Sequence, residues 1–263
     1  MKSINEFNPL SQPKIQYLLT DIDDTLTTEG LLPAIAYDSL WQLYEKKIKI
    51  IPVTGRPAGW CEMIARLWPV AGVIGENGGF YFRYDRENKK MHRWFFASQE
   101  TMLENKKKLQ TIESEVLKNI PGCAVSSDQF SRLMDLAIDF CEDVHPLPKS
   151  DIKKIVQIFE SHGAVAKVSS IHVNGWFGEY NKVTTAIKFL KNEFGVSESE
   201  AMAQCAFVGD SPNDEPMFAK FPLSFGVANI KKFSDQIVFQ PTYVSNFNGG
   251  EGFSEITQKI IHS

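Results

Sequence analysis

The sequence predicts an α/β protein: a doubly wound, Rossmann-like parallel sheet with an α+β unit inserted into it. Three observations carry that expectation. From Ile15 to Ile74, short apolar runs alternate with helical patterns, the order that builds a parallel sheet. From about Phe80 the alternation gives way to aromatic, strand-like runs mixed with helical ones. From Lys182 the first pattern resumes. The expected division is a core of residues 1–83 and 179–263, interrupted by a unit of residues 84–178.

Ile15, Tyr17, Leu18 and Leu19 suit a strand covered on both faces. It ends in Thr20-Asp21-Ile22-Asp23-Asp24-Thr25, so the acids fall at a strand's carboxyl end, where open parallel sheets present their chemistry. Pro33 opens a helix with Ile35, Leu40, Leu43 and Tyr44 on its apolar stripe. Lys46-Lys47 near its end suits the helix dipole. Ile48 to Val53 reads as a second strand ending on Thr54-Gly55-Arg56-Pro57, with Pro57 in the first turn of the next helix. Trp60, Ile64 and Leu67 mark that helix, and Gly72-Val73-Ile74 runs as a third strand into the turn Glu76-Asn77-Gly78-Gly79.

In the inserted unit, Phe80 to Phe82 and Met91 to Phe96 flank a hairpin turn at Asp85 to Lys90. A helix is expected from Gln99 to Lys118, a strand from Met134 to Phe140 and a helix from Lys149 to His162. Strands at Ala164 to Ser169 and Ile171 to Phe177 close the unit. Lys182 then starts a helix with Val183, Ala186, Ile187, Leu190 and Phe194 on one face and Gly195 as its stop. Ala206-Phe207-Val208-Gly209 is a strand ending on Asp210-Ser211-Pro212-Asn213-Asp214. Further strands are expected at Pro222 to Val227 and Gln236 to Phe239, and a last helix at Gly252 to Ile261.

The composition narrows the function. With 263 residues, 43% hydrophobic and 23% charged, the chain can bury a large core and a second, smaller one. A formal net charge of -4 and the absence of a long basic run argue against a nucleic-acid surface. Lys106-Lys107-Lys108 reads as a solvated helix face. Cys61, Cys123, Cys141 and Cys205 are scattered without ligand spacing, which fits free thiols in a reducing compartment. Met1 to Pro13 lacks the apolar core of a signal peptide, and no apolar run reaches membrane-spanning length. A cytoplasmic protein without membrane partners is expected, as a monomer or small homo-oligomer.

Asp21, Asp23 and Asp24 crowd three repelling carboxylates into four residues. A solvated acidic turn is one reading. A calcium loop is another, but Leu26 stands where its glycine would be and Leu32 where its glutamate would be. The third is a magnesium and phosphate site, in which a cation offsets the repulsion and one carboxylate attacks phosphorus. The rest of the chain favours the third. Thr54, Lys182 and the Asp210/Asn213/Asp214 turn also stand at strand ends or helix starts. An anionic nucleophile meeting an anionic phosphate needs a divalent cation and a lysine, and an oxygen-only donor set favours magnesium over zinc.

These motifs resemble the haloacid dehalogenase superfamily of phosphatases. Asp21-Ile22-Asp23-Asp24-Thr25, Val53-Thr54-Gly55-Arg56-Pro57, Lys182 and Gly209-Asp210-Ser211-Pro212-Asn213-Asp214 match in kind and in order. The insert between Thr54 and Lys182 is similar to the late α/β cap of the branch holding sucrose-phosphate, trehalose-phosphate and mannosyl-3-phosphoglycerate phosphatases and phosphomannomutases. The resemblance spans essentially the whole chain. It implies Asp21 as nucleophile, Asp23 as general acid and then base, and Lys182 as the neutralising cation. It further implies Mg2+ held by Asp21, Asp210, Asp214 and Asp23, the last through its backbone carbonyl. Thr54, Gly55, Arg56, Asn77 and Asn213 would bind the substrate's phosphoryl group or its surroundings. Asp24 departs from the family, where many members have glycine.

Some of these residues also have plainer readings: Lys182 as a solvated helix-start lysine, Arg56 as a turn cap, Asn77 as a turn residue. In the insert, Ser169, Ser170, His172 and Asn174 are candidates for hydroxyl recognition and Arg132 for a second anion. The expected function is hydrolysis of a small phosphorylated metabolite, a sugar phosphate first, through an aspartyl-phosphate. A phosphosugar mutase and a non-catalytic metabolite-binding relative are the alternatives.

Overall fold

The computed structural model describes residues 1–169 and 171–262, so Ser170 lies outside the described residues. A short β1 (Lys2–Ser3) precedes the expected first strand, β2 (Tyr17–Thr20). The alternation continues with α1 (Ala34–Glu45), β3 (Lys49–Pro52), α2 (Ala58–Leu67) and β4 (Val73–Gly75). The hairpin of β5 (Phe80–Asp85) and β6 (Lys90–Phe95) leads to α3 (Gln99–Asn119), β7 (Ala124–Val125) and β8 (Asp135–Asp139). Helix α4 (Lys149–Ser161), β9 (Val165–Val168) and β10 (His172–Trp176) complete the insert. The chain ends with α5 (Lys182–Phe194), α6 (Glu198–Gln204), β11 (Cys205–Gly209), α7 (Glu215–Lys220), β12 (Ser224–Gly226), β13 (Tyr243–Val244) and α8 (Gly249–Ile261).

Six parallel strands lie in the order β1-β13-β12-β11-β2-β3. Successive strand residues point to opposite faces, and here both faces are apolar. Leu18, Ile50, Ala206 and Val208 pack on one side with Leu40 of α1, Ile64 of α2 and Phe253 of α8. Leu19, Ile51 and Phe207 pack on the other with Phe189 of α5, Ala201 of α6 and Met217 of α7. The double layer of helices explains why these strands read as unbroken apolar runs.

The third expected strand, β4, does not continue the parallel sheet by a full ladder. It touches it through one parallel bridge, Val53–Ile74, and otherwise pairs antiparallel with β5 in the sheet β4-β5-β6. A four-stranded antiparallel sheet, β7-β8-β10-β9, belongs to the insert. Leu109, Ile112 and Val116 of α3 and Ile155 and Phe159 of α4 bury against Leu136, Ile138 and Val173 as a separate apolar cluster. The hairpin packs elsewhere: Phe80, Tyr81 and Phe82 belong to the two clusters of the parallel sheet. We propose on this ground that the inserted unit begins after Phe96 rather than at residue 84.

One expected strand is corrected. Gln236 to Phe239 is not a strand; Val238 and Phe239 are exposed, and their backbone N–H groups both donate to the Glu215 carboxylate at 2.9 Å. That carboxylate takes the donors a sheet would have used, and Tyr243–Val244 pairs with β12 instead. The short β1, β7 and α6 were not expected, being too brief to show a period.

Candidate active site

Parallel pairing places three strand ends side by side. Asp210 follows β11, Asp21 follows β2, and Thr54 follows β3 by two residues; these three strands are neighbours in that order. The Asp21 N–H donates to the Val208 carbonyl at 2.9 Å, which fixes the nucleophile candidate against the adjoining strand. Asp214 reaches the same point from the turn after β11. Gly209 permits this, because a Cβ there would stand 2.5 Å from the Asp214 carboxylate.

Carboxylate oxygens of Asp21, Asp210 and Asp214 lie within 4.8 Å of one another, and all three residues are buried. Lys182 stands in the first turn of α5, which Asn181 caps by accepting from Thr184 N. Its Nζ donates to Asp21 Oδ1 at 3.0 Å and to Asp214 Oδ1 at 2.8 Å. It is therefore an internal partner of the acidic cluster and not a solvated helix-start lysine. Burial works against its charge, but Asp21 and Asp214 outweigh burial and hold its pKa above the ordinary lysine value.

The carboxylates remain under strain of a different kind. Burial, with Asp214 and Asp23 adding to it against the pull of Lys182, raises the pKa of Asp21 to about 7. Burial and the charges of Asp214 and Asp21 push Asp210 well above the carboxylate range. One ammonium does not balance three buried carboxylates, and a hard divalent cation would. An all-oxygen donor set, already preassembled and short of positive charge, fits Mg2+.

Asp23 stands outside that group. Its carboxylate accepts from Arg56 Nε at 3.0 Å and Nη2 at 2.8 Å. Arg56 also lies over the Trp60 ring, 4.4 Å from its centre, and 3.5 Å from Glu142 of the insert. Arg56 thus grips the expected acid and base instead of merely capping its turn. Asp24 has φ +55°, the left-handed region that glycine enters freely and aspartate tolerates.

A cavity of ≈ 40 Å³ opens between the strand ends and the insert. Asp21, Asp23, Gly55, Arg56, Asp210 and Asn213 form the core wall; Arg132, Ser169, His172 and Asn174 face them. Thr54 is fully buried behind this wall and its Oγ1 accepts from Arg56 N at 3.1 Å. Asn77, at φ +56°, lines the same cavity and closes on the phosphate-loop candidate by donating its N–H to the Thr54 carbonyl at 3.0 Å. An adjoining cavity of ≈ 300 Å³ shares Asn77 and Asn213 as a partition and has Lys182 and Trp176 in its wall.

Three further residues at the site were given no role by sequence reasoning. Thr25 Oγ1 donates to Asp210 Oδ1 at 3.0 Å, and Asn229 Nδ2 donates to Asp210 Oδ2 at 3.1 Å. Glu76, at φ +44°, is wholly buried and accepts from Ala58 N at the start of α2 and from the N–H groups of Leu133, Met134 and Asp135 before β8. One carboxylate thereby joins core and insert. Burial and the nearby Asp135 raise its pKa to about 8, against Arg132 and the backbone donors. The signal for Glu76 was its place before Asn-Gly-Gly at a buried strand end; Asn229 left none.

Arg132 differs from expectation. Its guanidinium is used internally, on Asp128 at 2.8 and 3.1 Å, on Asp135 at 3.1 Å and on the Gly55 carbonyl at 3.0 Å. With both neighbouring carboxylates buried and four of its five N–H donors engaged, it is chiefly a tie between insert and core.

No model of a known protein family matches the sequence. A phosphoglycolate phosphatase of Methanobrevibacter smithii is 25% identical over 256 residues, covering 94% of this chain and 99% of the relative. Among solved structures, a Thermoplasma acidophilum protein superposes with TM-score 0.70 at 20% identity over 94% of this chain and 98% of that one. A haloacid dehalogenase-like hydrolase of Bacteroides thetaiotaomicron gives TM-score 0.66 at 14% identity over 94% and 100% of the two chains. The sucrose-phosphatase of Synechocystis, solved with sucrose and phosphate, gives 0.62 at 13% identity over 95% and 98%. Fold and topology agree across these comparisons: the chain has the fold of solved haloacid dehalogenase-like hydrolases.

Proposed function

We propose that the protein is a magnesium-dependent phosphatase that hydrolyses a small phosphorylated metabolite, a sugar phosphate first among the candidates, through an aspartyl-phosphate. The observation that carries this reading is the convergence of Asp21, Lys182, Asp210 and Asp214 on one buried point beside a cavity. Asp21 is the nucleophile: its carboxylate attacks phosphorus, and the bond from phosphorus to the alcohol oxygen breaks. Asp23 gives the departing alkoxide a proton. It then takes one from the water that attacks phosphorus, which releases phosphate and restores Asp21. Asp23 must leave Arg56 to do this, so the ion pair is the gate on its proton. Thr54 keeps its hydroxyl hydrogen for a phosphoryl oxygen, because Oγ1 serves only as acceptor to Arg56 N. Mg2+ held by Asp21, Asp210 and Asp214 supplies charge neutralisation at the phosphoryl oxygens when bound.

The ≈ 40 Å³ cavity suits a phosphoryl group, and the ≈ 300 Å³ neighbour has room for the rest of a small metabolite. The insert acts as a cap whose Ser169, His172 and Asn174 face the reacting end. The curated relative favours a second reading, a small phosphorylated acid such as phosphoglycolate. Among the described residues no helix is long and apolar enough to cross a membrane, and all four cysteines are free thiols. These features support a cytoplasmic enzyme.

The test is phosphate release from a panel of sugar phosphates and phosphoglycolate, with and without Mg2+, for the wild type and Asp21→Asn. Magnesium-dependent release that Asp21→Asn lowers by about 10⁴-fold or more is expected. Release that survives Asp21→Asn unchanged overturns the mechanism. Turnover that appears only with a sugar bisphosphate activator makes the protein a mutase.

A further inference from the structure

The Asp210 carboxylate is held at both oxygens, by Thr25 on Oδ1 at 3.0 Å and by Asn229 on Oδ2 at 3.1 Å. Asn229 lies in the 3-10 turn Ala228–Phe233, far from every motif. Its amide makes three contacts. Nδ2 donates to Asp210 Oδ2 and, at 3.0 Å, to the backbone carbonyl of Asp24; Oδ1 accepts from Gly249 N at 3.1 Å. The orientation is unambiguous, since the Gly249 N–H can only donate and the Asp24 carbonyl can only accept.

We propose that Asn229 is a positioning residue for the cation-binding carboxylate of Asp210, fixing its rotation and tying it to the acidic turn. The inference rests on reading Asp21, Asp210 and Asp214 as a magnesium site. A carboxylate oxygen has two lone-pair directions. Thr25 and Asn229 each occupy one and leave one per oxygen for a cation. The same amide holds the Asp24 carbonyl, so the turn that carries Asp21 and Asp23 and the strand end that carries Asp210 are set at a fixed separation. Without Asn229 the carboxylate can rotate about its Cβ–Cγ bond, and the preassembled oxygen set loosens.

The test is Mn2+ binding followed by electron paramagnetic resonance, with Mn2+ standing for Mg2+, on the wild type, Asn229→Leu and the milder Asn229→Ser. Melting temperatures in EDTA are read alongside. The variants are expected to bind Mn2+ about 10- to 100-fold more weakly. In turnover they should need correspondingly more Mg2+ for half activity, with kcat at saturating Mg2+ and KM for substrate within about 3-fold of wild type. Mn2+ affinity unchanged in a folded variant, even one with a lowered melting temperature, overturns the proposal. A wild type that binds no Mn2+ removes the metal reading itself, a result distinct from equal binding by wild type and variants.

Discussion

Two buried ionic clusters face one another across the cavity, and they are balanced differently. On the core side, one ammonium, Lys182, serves the three carboxylates of Asp21, Asp210 and Asp214. On the cap side, one guanidinium, Arg132, sits between Asp128 and Asp135 with all its nitrogens engaged. The consequences are opposite in sign. Asp21 is raised to about 7. Burial works on Asp128 too, yet the Arg132 hydrogen bonds outweigh it and hold that carboxyl below its ordinary value. A complete cluster is a structural joint, and a cluster short of positive charge is a receptor for it. Stoichiometry, the geometry of the cation and the deeper burial of Asp21 together set the two apart.

Breaking the complete cluster is expected to have the largest effect on stability. Arg132→Met leaves Asp135 buried without its counterion and Asp128 with only the more distant Arg56, at a cost of about 3–5 kcal/mol. Denaturant unfolding reads this, and adding Asp135→Asn should recover part of the loss. A change under about 1 kcal/mol would show that the joint is not held by charge.

The deficient cluster should instead respond to pH and metal. The Asp21 pKa is raised from 3.8 to about 7 in the folded state, so between those values the folded protein holds a proton that the unfolded chain has lost. Its contribution to stability therefore falls as pH rises from about 4 to about 7 and stays low above that. The melting temperature of metal-free wild type, relative to Asp21→Asn, should drop across this window, and Mg2+ should raise it more at pH 8 than at pH 5. A flat difference would contradict the charge imbalance.

The smallest effect is expected at Asp24. Asp24→Gly should change stability by less than about 1 kcal/mol and leave turnover intact, because glycine keeps the left-handed backbone and the carbonyl that Asn229 holds. Asp24→Val should cost about 1–2 kcal/mol, since a β-branched residue resists φ +55°. Loss of activity in Asp24→Gly at unchanged stability would give the side chain a role of its own.

The residues legible from sequence are those whose place follows from a period. Asp21 and Asp210 close apolar strands, Lys182 opens an amphipathic helix, and the double-layered sheet made those strands readable. Asn229 and Glu76 act through single hydrogen-bonding groups brought in by tertiary approach, which no local pattern records. Arg132 was visible as a charge near the site, but its saturation by Asp128 and Asp135 depends on three-dimensional closure. The expected strand at Gln236 to Phe239 failed for a related reason: a distant carboxylate, Glu215, took its donors.

The Glu76 clasp has an evolutionary consequence. On the cap side it grips only main-chain N–H groups, those of Leu133, Met134 and Asp135, and reads no side chain there. Amide hydrogens are common to every residue but proline, so the fastening is indifferent to the cap's composition at those three positions. Sequence drift there can proceed without unhooking the insert from the core, provided no proline enters. A joint of this kind lets one core be paired with many different lids.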